Sequence, residues 1–317
     1  MEHSKIVGIK GGYPRVPLGV RVKAYVQLLR PMTCLVVLLG GLTTTLMAAG
    51  YNNDFSRLFD KQLVWFYGIG TLLLIQFGSN ALNQGCDVVE DGINKPYRPV
   101  PTKRLGVNEV KTFAVLAFVL ALFRASMVNE WFGFFCVVLI VLTILYSMEP
   151  VRFKKRLGWS NGVLGVARGG VGYLACWSIL FDPMDIPAMV GALILTVYVA
   201  FAWISKDFGD TMGDVAAGNR NLVTCYGEKL ASNVMFGGIV VSGVLFIVVG
   251  LLGALKLGVV VLGGIGIVYV VWMKLKSNKL IVQDKWCENV GLWKHATILL
   301  AIMQVGLAII YVGSVMR

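Results

Sequence analysis

Three oxygen-bearing side chains recur at helical spacing in the stretch NQGCDVVEDGINKPYRP, residues 83–99. Asn83, Asp87 and Asp91 stand at i, i+4 and i+8, which places them on one face of a helix. The stretch directly follows an apolar run, so its carboxylates lie where a membrane-spanning helix should end. Carboxylates at a membrane boundary are costly unless something compensates for their charge. This spacing therefore predicts a bound ligand or cation at the helix end.

A second acidic segment, SKDFGDTMGDVAAGNR at residues 205–220, has the same character. Asp207, Asp210 and Asp214 stand at i, i+3 and i+7, again on one helical face. Two facing rows of carboxylates repel each other unless cations lie between them. Oxygen ligands at helical spacing suit Mg²⁺, which typically takes one or two carboxylates together with substrate phosphate oxygens. The two segments thus predict a clamp in which magnesium ions hold a diphosphate and stabilise it as a leaving group.

Basic side chains follow the first acidic segment. Lys95 and Arg98 lie within two helical turns of Asp91. Arg98 can hold a phosphate through two parallel hydrogen bonds, and Lys95 can act as a point charge. The prolines among them prevent a continuous helix, and a stiff loop at this place could close over a substrate. The competing interpretation is a positively charged loop that only anchors the membrane topology.

One arginine lies inside an apolar run. Arg168 occurs in NGVLGVARGGVGY, among glycines whose small size allows neighbouring helices to approach closely. An ionisable residue within a membrane is expensive to bury, and by default it indicates a functional site that faces the interior of the helix bundle. The competing interpretation, an ion pair with an acid in the membrane, has few candidate acids outside the two acidic segments.

The elements that position these residues are predicted to be membrane-spanning helices. Of the 317 residues, 57% are hydrophobic and 15% are charged, well below the roughly 25% charged residues of soluble domains. The apolar runs have about 18–25 residues, the length of a helix that crosses a bilayer. The alternating segments of an outer-membrane barrel are missing. We predict nine spans, at residues 31–50, 63–83, 111–128, 131–149, 161–181, 187–205, 231–252, 257–274 and 295–315.

Lysine and arginine collect in alternate connecting segments of the chain. These are the N-terminal segment and the segments 95–104, 152–156, 206–229 and 274–294. Positive residues stay on the cytoplasmic side, so nine spans place the N-terminus and both acidic segments in the cytoplasm and the C-terminus outside. We expect a cytoplasmic tail with an amphipathic lead-in over residues 1–30 and a single nine-helix domain over residues 31–317.

Several other classes of function are disfavoured by composition. The net charge of +12 invites a nucleic-acid interpretation. Membrane topology and anionic lipid headgroups account for basic helix ends, so we expect membrane lipid and no nucleic acid as a partner. The six cysteines are scattered singly, without zinc or redox spacing, and the two histidines are far apart. The N-terminal tail lacks the apolar core of a signal peptide.

The two acidic segments resemble the two signatures of the UbiA-type intramembrane prenyltransferases. N-x-x-x-D-x-x-x-D followed by NKPYRPVP resembles the first signature, and KDFGDTMGD at 206–214 resembles the second. LYS at 145–147, LLRP at 28–31 and the position of Arg168 are also similar to the family pattern. Nine spans are the usual number in the family, and the resemblance covers essentially the whole chain.

The resemblance implies an all-α membrane protein, with nine transmembrane helices in a ring around a central cavity capped by cytoplasmic loops. It implies that oxygen ligands from both signatures bind Mg²⁺ and the diphosphate of an isoprenyl donor, namely Asn83, Asp87, Asp91, Asp207, Asp210 and Asp214. It further implies basic diphosphate contacts and cavity positions near the donor at Arg98, Arg168, Lys206, Arg30, Lys154, Tyr146 and Ser147.

The chain departs from the family pattern in two places. The stretch that usually runs RPIPSG is RPVPTK here, so Lys103 replaces a glycine that shapes the loop. The segment after Tyr146 continues as SMEPVRFKKR instead of leading directly to a basic residue. Arg152 and Lys154 therefore remain alternatives for one basic contact.

The implied reaction is ionisation of an allylic diphosphate, followed by capture of the cation by an acceptor. Mg²⁺ and basic residues stabilise the charge on the leaving group, and an apolar cavity excludes water. Aromatic quinone precursors and tetrapyrrole carboxylates are possible acceptors, but NKPYRPVP is closest to the ether-lipid and chlorophyll branches, and geranylgeranylglyceryl phosphate is the leading expectation. A membrane transporter is the alternative from another class, although transporter sites tend to lie at broken helices near the membrane centre.

Overall fold

The structure, a computed structural model, describes residues 16–282 and 288–315. Within these ranges the chain forms helices and no β-strand. The helices in the first half are α1 (Leu18–Leu29), α2 (Pro31–Asn52), α3 (Ser56–Asp60), α4 (Gln62–Cys86), α5 (Val88–Asn94), α6 (Val107–Ala125) and α7 (Glu130–Ser147). The others are α8 (Trp159–Leu164), α9 (Gly172–Ser178), α10 (Ile186–Ala202), α11 (Asp207–Ala216), α12 (Leu222–Leu251), α13 (Val259–Leu275), α14 (Ser277–Leu280) and α15 (Gly291–Val312).

All nine predicted apolar runs are helical over most of their length. Among the described residues, six helices are long and apolar enough to cross a membrane: Pro31–Asn52, Gln62–Cys86, Glu130–Ser147, Ile186–Ala216, Leu222–Leu251 and Gly291–Val312. The helix α13 is apolar but shorter. Charged side chains lie near both ends of α6, and the predicted run 161–181 is divided into shorter stretches.

The helix α12 begins earlier than its apolar composition suggests. The predicted span starts at residue 231, whereas the helix starts at Leu222. Asn221 explains the early start, because its side chain accepts a hydrogen bond from the backbone N–H of Thr224 and caps the first turn. Gly227, with φ of 79° and ψ of 168°, kinks the helix shortly afterwards. The polar first turns of α12 thus lie ahead of the apolar run.

The helix that carries Arg168 is interrupted by a π-helical stretch, Gly165–Val171, between α8 and α9. This stretch packs directly against α10. A Cβ atom on Gly169 would lie 2.2 Å from the backbone oxygen of Leu195, and one on Gly165 would lie 2.7 Å from that of Thr196. Only glycine permits such an approach, and π-helical turns often occur at functional sites.

Both acidic segments begin where a long helix changes its geometry. The helix α4 ends at Cys86, and Asp87 has a non-helical φ of −96° and ψ of 34°, so the first segment is not one regular helix. Hydrogen bonds of i+4 type nevertheless continue, since Asp87 N donates to Asn83 O and Asp91 N donates to Asp87 O, each at 2.8 Å. The helix α10 passes through a 3-10 turn at Trp203–Lys206 into α11. Because α5 packs against α11, the two segments meet.

The helix α1 falls within the predicted tail of residues 1–30, of which residues 1–15 lie outside the described part of the chain. Ala24 and Leu28 are fully buried, and α1 packs against α4. The Tyr25 hydroxyl donates a 2.6 Å hydrogen bond to Glu109 at the start of α6, and Arg21 forms an ion pair with the same carboxylate. The part of the tail that the structure describes is therefore docked on the bundle. The domain boundary at residue 30 stays a prediction.

Candidate active site

One cavity collects nearly all of the side chains that the sequence analysis selected. It is lined by thirteen of the fourteen predicted site residues: Arg30, Asn83, Asp87, Asp91, Lys95, Arg98, Tyr146, Ser147, Lys154, Arg168, Lys206, Asp210 and Asp214. The fourteenth, Asp207, is not among the lining residues. Positions far apart in the chain are therefore brought together around a common space.

The cavity is charged at one end and largely apolar along its depth. On α2 its lining runs from Arg30, at the start of the helix, to Thr44, which corresponds to roughly 21 Å at the usual helical rise. Apolar side chains from five different helices line the deeper part: Val36, Leu72, Leu139, Leu164 and Leu300. An anionic head and an apolar chain of the same ligand therefore match the two ends of the cavity.

An ion pair joins the two acidic segments directly. The ammonium of Lys95, which follows α5, donates to Oδ1 of Asp210 on α11. The Lys95 side chain is 6% exposed. Burial lowers the pKa of Lys95, and the neighbouring Asp210 carboxylate opposes that effect. A charged group is thus held between the two helix ends, away from bulk solvent.

Asp87 is surrounded by the basic residues of the 152–156 segment. Lys154 Nζ donates to Oδ2 of Asp87, while Arg152 Nη2 donates to Oδ1 at 3.1 Å and to Glu90 Oε1 at 2.8 Å. Burial disfavours the charge on Lys154, but Asp87 outweighs it and raises the pKa of the ammonium. Lys154 lines the cavity, whereas Arg152 does not. Of the two alternatives, Lys154 is therefore the one that faces the cavity.

Arg98 connects the first acidic segment to the loop before α15. Its Nη1 donates to both oxygens of Asp91, at 2.8 and 2.9 Å, and its Nη2 donates to Glu288 at 2.6 Å. The same Glu288 carboxylate lies 3.3 Å from Arg30. Burial raises the pKa of Asp91 despite the nearby Arg98. Burial also disfavours the charge of Arg98, but Asp91 and Glu288 outweigh it and raise its pKa.

Asp214 is held by side-chain amides from the turn after α11. Asn219 Nδ2 donates to Oδ1 and Asn221 Nδ2 donates to Oδ2, each at 2.8 Å. Asn219 Nδ2 also lies 3.2 Å from Oε1 of Glu90 in α5. The carboxylate of Asp214 is therefore fixed in orientation, and one amide links it to the first acidic segment.

Asp207 has a different environment from the other predicted metal ligands. It is 1% exposed, accepts a 2.7 Å hydrogen bond from Lys206 Nζ, and lies 3.4 Å from Nδ2 of Asn161. Lys206 lines the cavity and Asp207 does not. The structure therefore places Asp207 behind Lys206, where its carboxylate orients that ammonium.

Arg168 lines the cavity inside the helix bundle, and its hydrogen-bond partner is a side-chain amide. Its Nη1 donates to Oε1 of Gln76 at 2.6 Å, and Gln76 Nε2 donates to Oδ1 of Asn80 at 2.8 Å. Asn80 in turn donates to the backbone oxygen of Leu29 at 2.7 Å. This chain of hydrogen bonds fixes the guanidinium in the cavity without neutralising its charge.

Tyr146 and Ser147, at the end of α7, face the same cavity. The Tyr146 hydroxyl lies 3.5 Å from Oγ of Ser160 in α8, and Ser147 is 2% exposed. The Tyr146 side chain therefore forms part of the cavity wall.

The cavity-lining residues that the sequence analysis missed include Gln76, Asn80, Glu90 and Asn94. Gln76 and Asn80 precede Asn83 at i, i+4 and i+7 in an otherwise apolar span, so helical periodicity could have found them. Glu90 and Asn94 lie within the first acidic segment. Their contacts are with residues far along the chain, which no local pattern reveals: Glu90 contacts Arg152 and Asn219, and Asn94 contacts Asp210 and Gly213.

The chain matches the model of the UbiA prenyltransferase family over residues 34–293. Among curated relatives, the digeranylgeranylglyceryl phosphate synthase of Methanococcus vannielii is 28% identical over 212 residues, covering 66% of this chain and 70% of the relative. The bacteriochlorophyll synthase 33 kDa chain of Rhodobacter capsulatus is 29% identical over 161 residues, covering 49% and 53% respectively.

Solved structures share the fold. A UbiA homologue from Archaeoglobus fulgidus bound to GPP and Mg²⁺ aligns with a TM-score of 0.67 and 20% sequence identity, covering 92% of this chain and 99% of the other. A UbiA homologue from Aeropyrum pernix aligns with a TM-score of 0.63 and 13% identity, covering 90% and 97%. The family match extends over most of the chain, and its helices are long and apolar enough for several membrane crossings. The protein therefore belongs to the UbiA prenyltransferase family and is a multi-pass membrane prenyltransferase.

Proposed function

We propose that the protein transfers an isoprenyl group from an allylic polyprenyl diphosphate to a lipid acceptor in the membrane, in a Mg²⁺-dependent reaction. The first candidate acceptor is geranylgeranylglyceryl phosphate. The observation that carries the proposal is the Lys95–Asp210 ion pair. Through it, the two acidic segments meet at one end of a cavity whose depth is apolar.

The residues at the charged end fit a divalent cation. Asn83, Asp87, Asp91, Asp210 and Asp214 all present oxygen atoms to the same cavity, and such hard oxygen ligands suit Mg²⁺. Within the described ranges, no three His, Cys, Asp or Glu side chains already converge as a metal cluster; the carboxylates lie against basic groups instead. When bound, Mg²⁺ would neutralise charge on the diphosphate oxygens and so stabilise the leaving group.

Basic side chains would bind the donor diphosphate from several directions. Lys95, Arg98 and Lys154 approach from the side of α5, while Lys206 approaches from the 3-10 turn before α11. Arg30 would donate to phosphate oxygens at the charged end, where it lies beside Glu288. Arg168 would donate to them from the deeper side, where Gln76 holds its guanidinium. Hydrogen bonds and charges already in place stabilise developing negative charge without reorganisation.

The apolar depth would hold the isoprenyl chain and exclude water. An allylic cation reacts with water, so a dry cavity protects it until the acceptor attacks. Tyr146 lines the same cavity, and we propose that its ring borders the reacting carbon.

The proposed topology has nine spans in a ring, with the N-terminus in the cytoplasm and the active site facing the cytoplasm. The six longest apolar helices are supplemented by α6, by α13 and by the stretch from α8 to α9. The positive-inside distribution of lysine and arginine supports this orientation. Site-specific labelling of engineered cysteines in sealed vesicles tests it.

The choice of acceptor rests on the curated relatives. Those from Methanococcus vannielii, Methanocaldococcus jannaschii and Methanococcus maripaludis are named digeranylgeranylglyceryl phosphate synthases, and this supports a lipid hydroxyl as the nucleophile. A tetrapyrrole carboxylate is the second candidate, because a bacteriochlorophyll synthase chain is also among the relatives. An aromatic quinone precursor is the third. Membership of a prenyltransferase family disfavours a transporter.

The test is turnover by the purified protein in detergent or nanodiscs. Labelled geranylgeranyl diphosphate is incubated with geranylgeranylglyceryl phosphate, a chlorophyllide and an aromatic acid, with Mg²⁺ or with EDTA. We expect diphosphate release and a labelled ether lipid that depend on Mg²⁺. Product with another acceptor alone would change the acceptor assignment, and no metal-dependent product with any acceptor would overturn the proposal.

A further inference from the structure

Asn94, the last residue of α5, grips α11 through both ends of its side-chain amide. Its Nδ2 donates to the backbone oxygen of Asp210 at 2.8 Å, and its Oδ1 accepts from the backbone N–H of Gly213 at 2.8 Å. These bonds bracket the turn of α11 that separates Asp210 from Asp214. Asn94 also stands three residues after Asp91 in the sequence. One amide thus connects the backbones that carry three of the proposed metal ligands.

Gly213 allows this close contact. A Cβ atom at this position would lie 2.5 Å from Nδ2 of Asn94 and 2.6 Å from the backbone oxygen of Glu90. Real Cβ atoms do not approach other atoms so closely, and the backbone oxygen of a helix cannot move aside as a flexible side chain can. A side chain at position 213 would therefore push α11 away from α5.

Asn94 has a different role from Asn83, which the sequence predicts as a metal ligand. Asn94 lines the cavity, but the oxygen and the nitrogen of its amide already bond to the backbone of α11. Asn94 is only partly buried, but loss of its amide would remove both hydrogen bonds from the backbone of α11, at the Asp210 oxygen and the Gly213 N–H. Its contribution is therefore to the spacing of the two helices and does not require contact with a ligand.

We infer that Asn94 is a positioning residue that fixes the separation between the carboxylates of α5 and those of α11, and that this separation sets the affinity for divalent cations. The inference rests on the proposed function. Sites that bind ligands need their groups held to within roughly 0.5 Å, and loss of an outer supporting contact typically weakens metal binding about 10–100-fold. A small displacement of α11 should therefore weaken metal binding before it unfolds the protein.

The experiment compares Asn94→Ala and Gly213→Ala with a matched control, Gly92→Ala. Gly92 also lies in α5, but a Cβ atom there would meet nothing within 4 Å. Binding of Mn²⁺ to the purified proteins is measured by electron paramagnetic resonance, together with the Mg²⁺ concentration that gives half-maximal diphosphate release. We expect both test variants to weaken Mn²⁺ binding by about 10-fold or more, and the control to bind like the wild type.

The outcomes separate the inference from the proposed function. If the wild type binds Mn²⁺ and requires Mg²⁺ while both test variants bind equally well, Asn94 has no positioning role. If Asn94→Ala does not fold, the Mn²⁺ affinities of Gly213→Ala and Gly92→Ala are compared instead. Equal affinities would again show that the helix separation does not set metal binding. If the wild type neither binds Mn²⁺ nor needs a metal, the metal-dependent function itself fails, and the inference fails with it.

Discussion

The buried ammonium of Lys95 forms an ion pair with the partly buried carboxylate of Asp210, although 115 positions separate them in the sequence. The pair closes the charged end of the cavity from one side, while Lys154 and Asp87 form a similar pair at another point of its rim. Each proposed metal-binding carboxylate thus already faces a cation or an amide. The fold can therefore bring these acids together without leaving buried charge uncompensated.

Replacement of Asp210 by asparagine should abolish most turnover. The change removes a proposed metal ligand and leaves the buried ammonium of Lys95 without its carboxylate. We expect kcat/KM for the donor to fall at least about 100-fold, the usual effect of losing one strong electrostatic contact in an active site. Asp87→Asn should behave in the same way.

The control is Asp60→Asn, an exposed carboxylate in α3 outside the cavity. It should keep wild-type rates, and all variants should elute as monodisperse protein in detergent. Normal activity of Asp210→Asn would remove the second acidic segment from the proposed metal site.

Arg168 should act on the donor, and Gln76 should act through Arg168. Arg168→Ala removes a guanidinium that lines the cavity, so kcat/KM for the donor should fall about 100-fold. Gln76→Leu keeps the charge but removes the 2.6 Å hydrogen bond that orients it, and the loss should be about 10-fold. Steady-state kinetics with varied donor concentration measures the loss of kcat/KM in both variants.

In the Arg168→Ala, Gln76→Leu double variant the losses should not add, because both changes disrupt one contact. Additive losses would show that Gln76 acts independently.

The helical architecture could be predicted from composition and hydrophobic runs. Each predicted run became a helix, because about 20 apolar residues must satisfy their backbone hydrogen bonds within the segment in lipid. The early start of α12 could not be predicted from hydropathy, since it depends on the cap at Asn221. The π-helical stretch around Arg168 also escaped prediction, because it depends on how closely α10 approaches.

At the candidate site, helical spacing correctly selected some cavity-lining residues but could not show how the helices are turned toward the cavity. The spacing of Asp87 and Asp91 predicted a ligand-binding face, and both line the cavity. The spacing of Asp207 predicted the same role, but its carboxylate turns to Lys206, away from the cavity lining. Periodicity defines a helical face only approximately, and the 3-10 turn just before α11 rotates the residues that follow it.

The contact between α1 and α6 should weaken at acidic pH. Burial raises the pKa of Glu109, but hydrogen bonds from Tyr25 and Gly106, together with Arg21, outweigh it and hold the pKa below its ordinary value of 4.5. The ionised carboxylate therefore stabilises the folded protein above that value, and the contribution disappears as the pH falls through the folded-state pKa. The pair is partly exposed, so its contribution should be about 1 kcal/mol or less.

Thermal unfolding in detergent at several pH values measures this contribution. Glu109→Gln should lower the unfolding midpoint at pH 7 by about 2 °C or less, and the difference from the wild type should shrink as the pH falls below 4.5. A difference that does not shrink as the pH is lowered below 4.5 would mean that the charge of Glu109 does not hold α1.

Gly169→Ala should disturb both stability and donor binding, because it inserts a methyl group where the π-helical stretch meets α10. The new Cβ atom would lie 2.2 Å from the backbone oxygen of Leu195, so the helices must separate, at a cost of roughly 1–3 kcal/mol. Arg168 precedes Gly169 directly and should shift with it, which should raise the KM for the donor.

Gly162→Ala is the matched control, since a Cβ atom there meets nothing within 4 Å. The midpoint of thermal unfolding and the KM should both change in the first variant and neither in the second. A stable Gly169→Ala protein with a normal KM would show that close packing against α10 does not position Arg168.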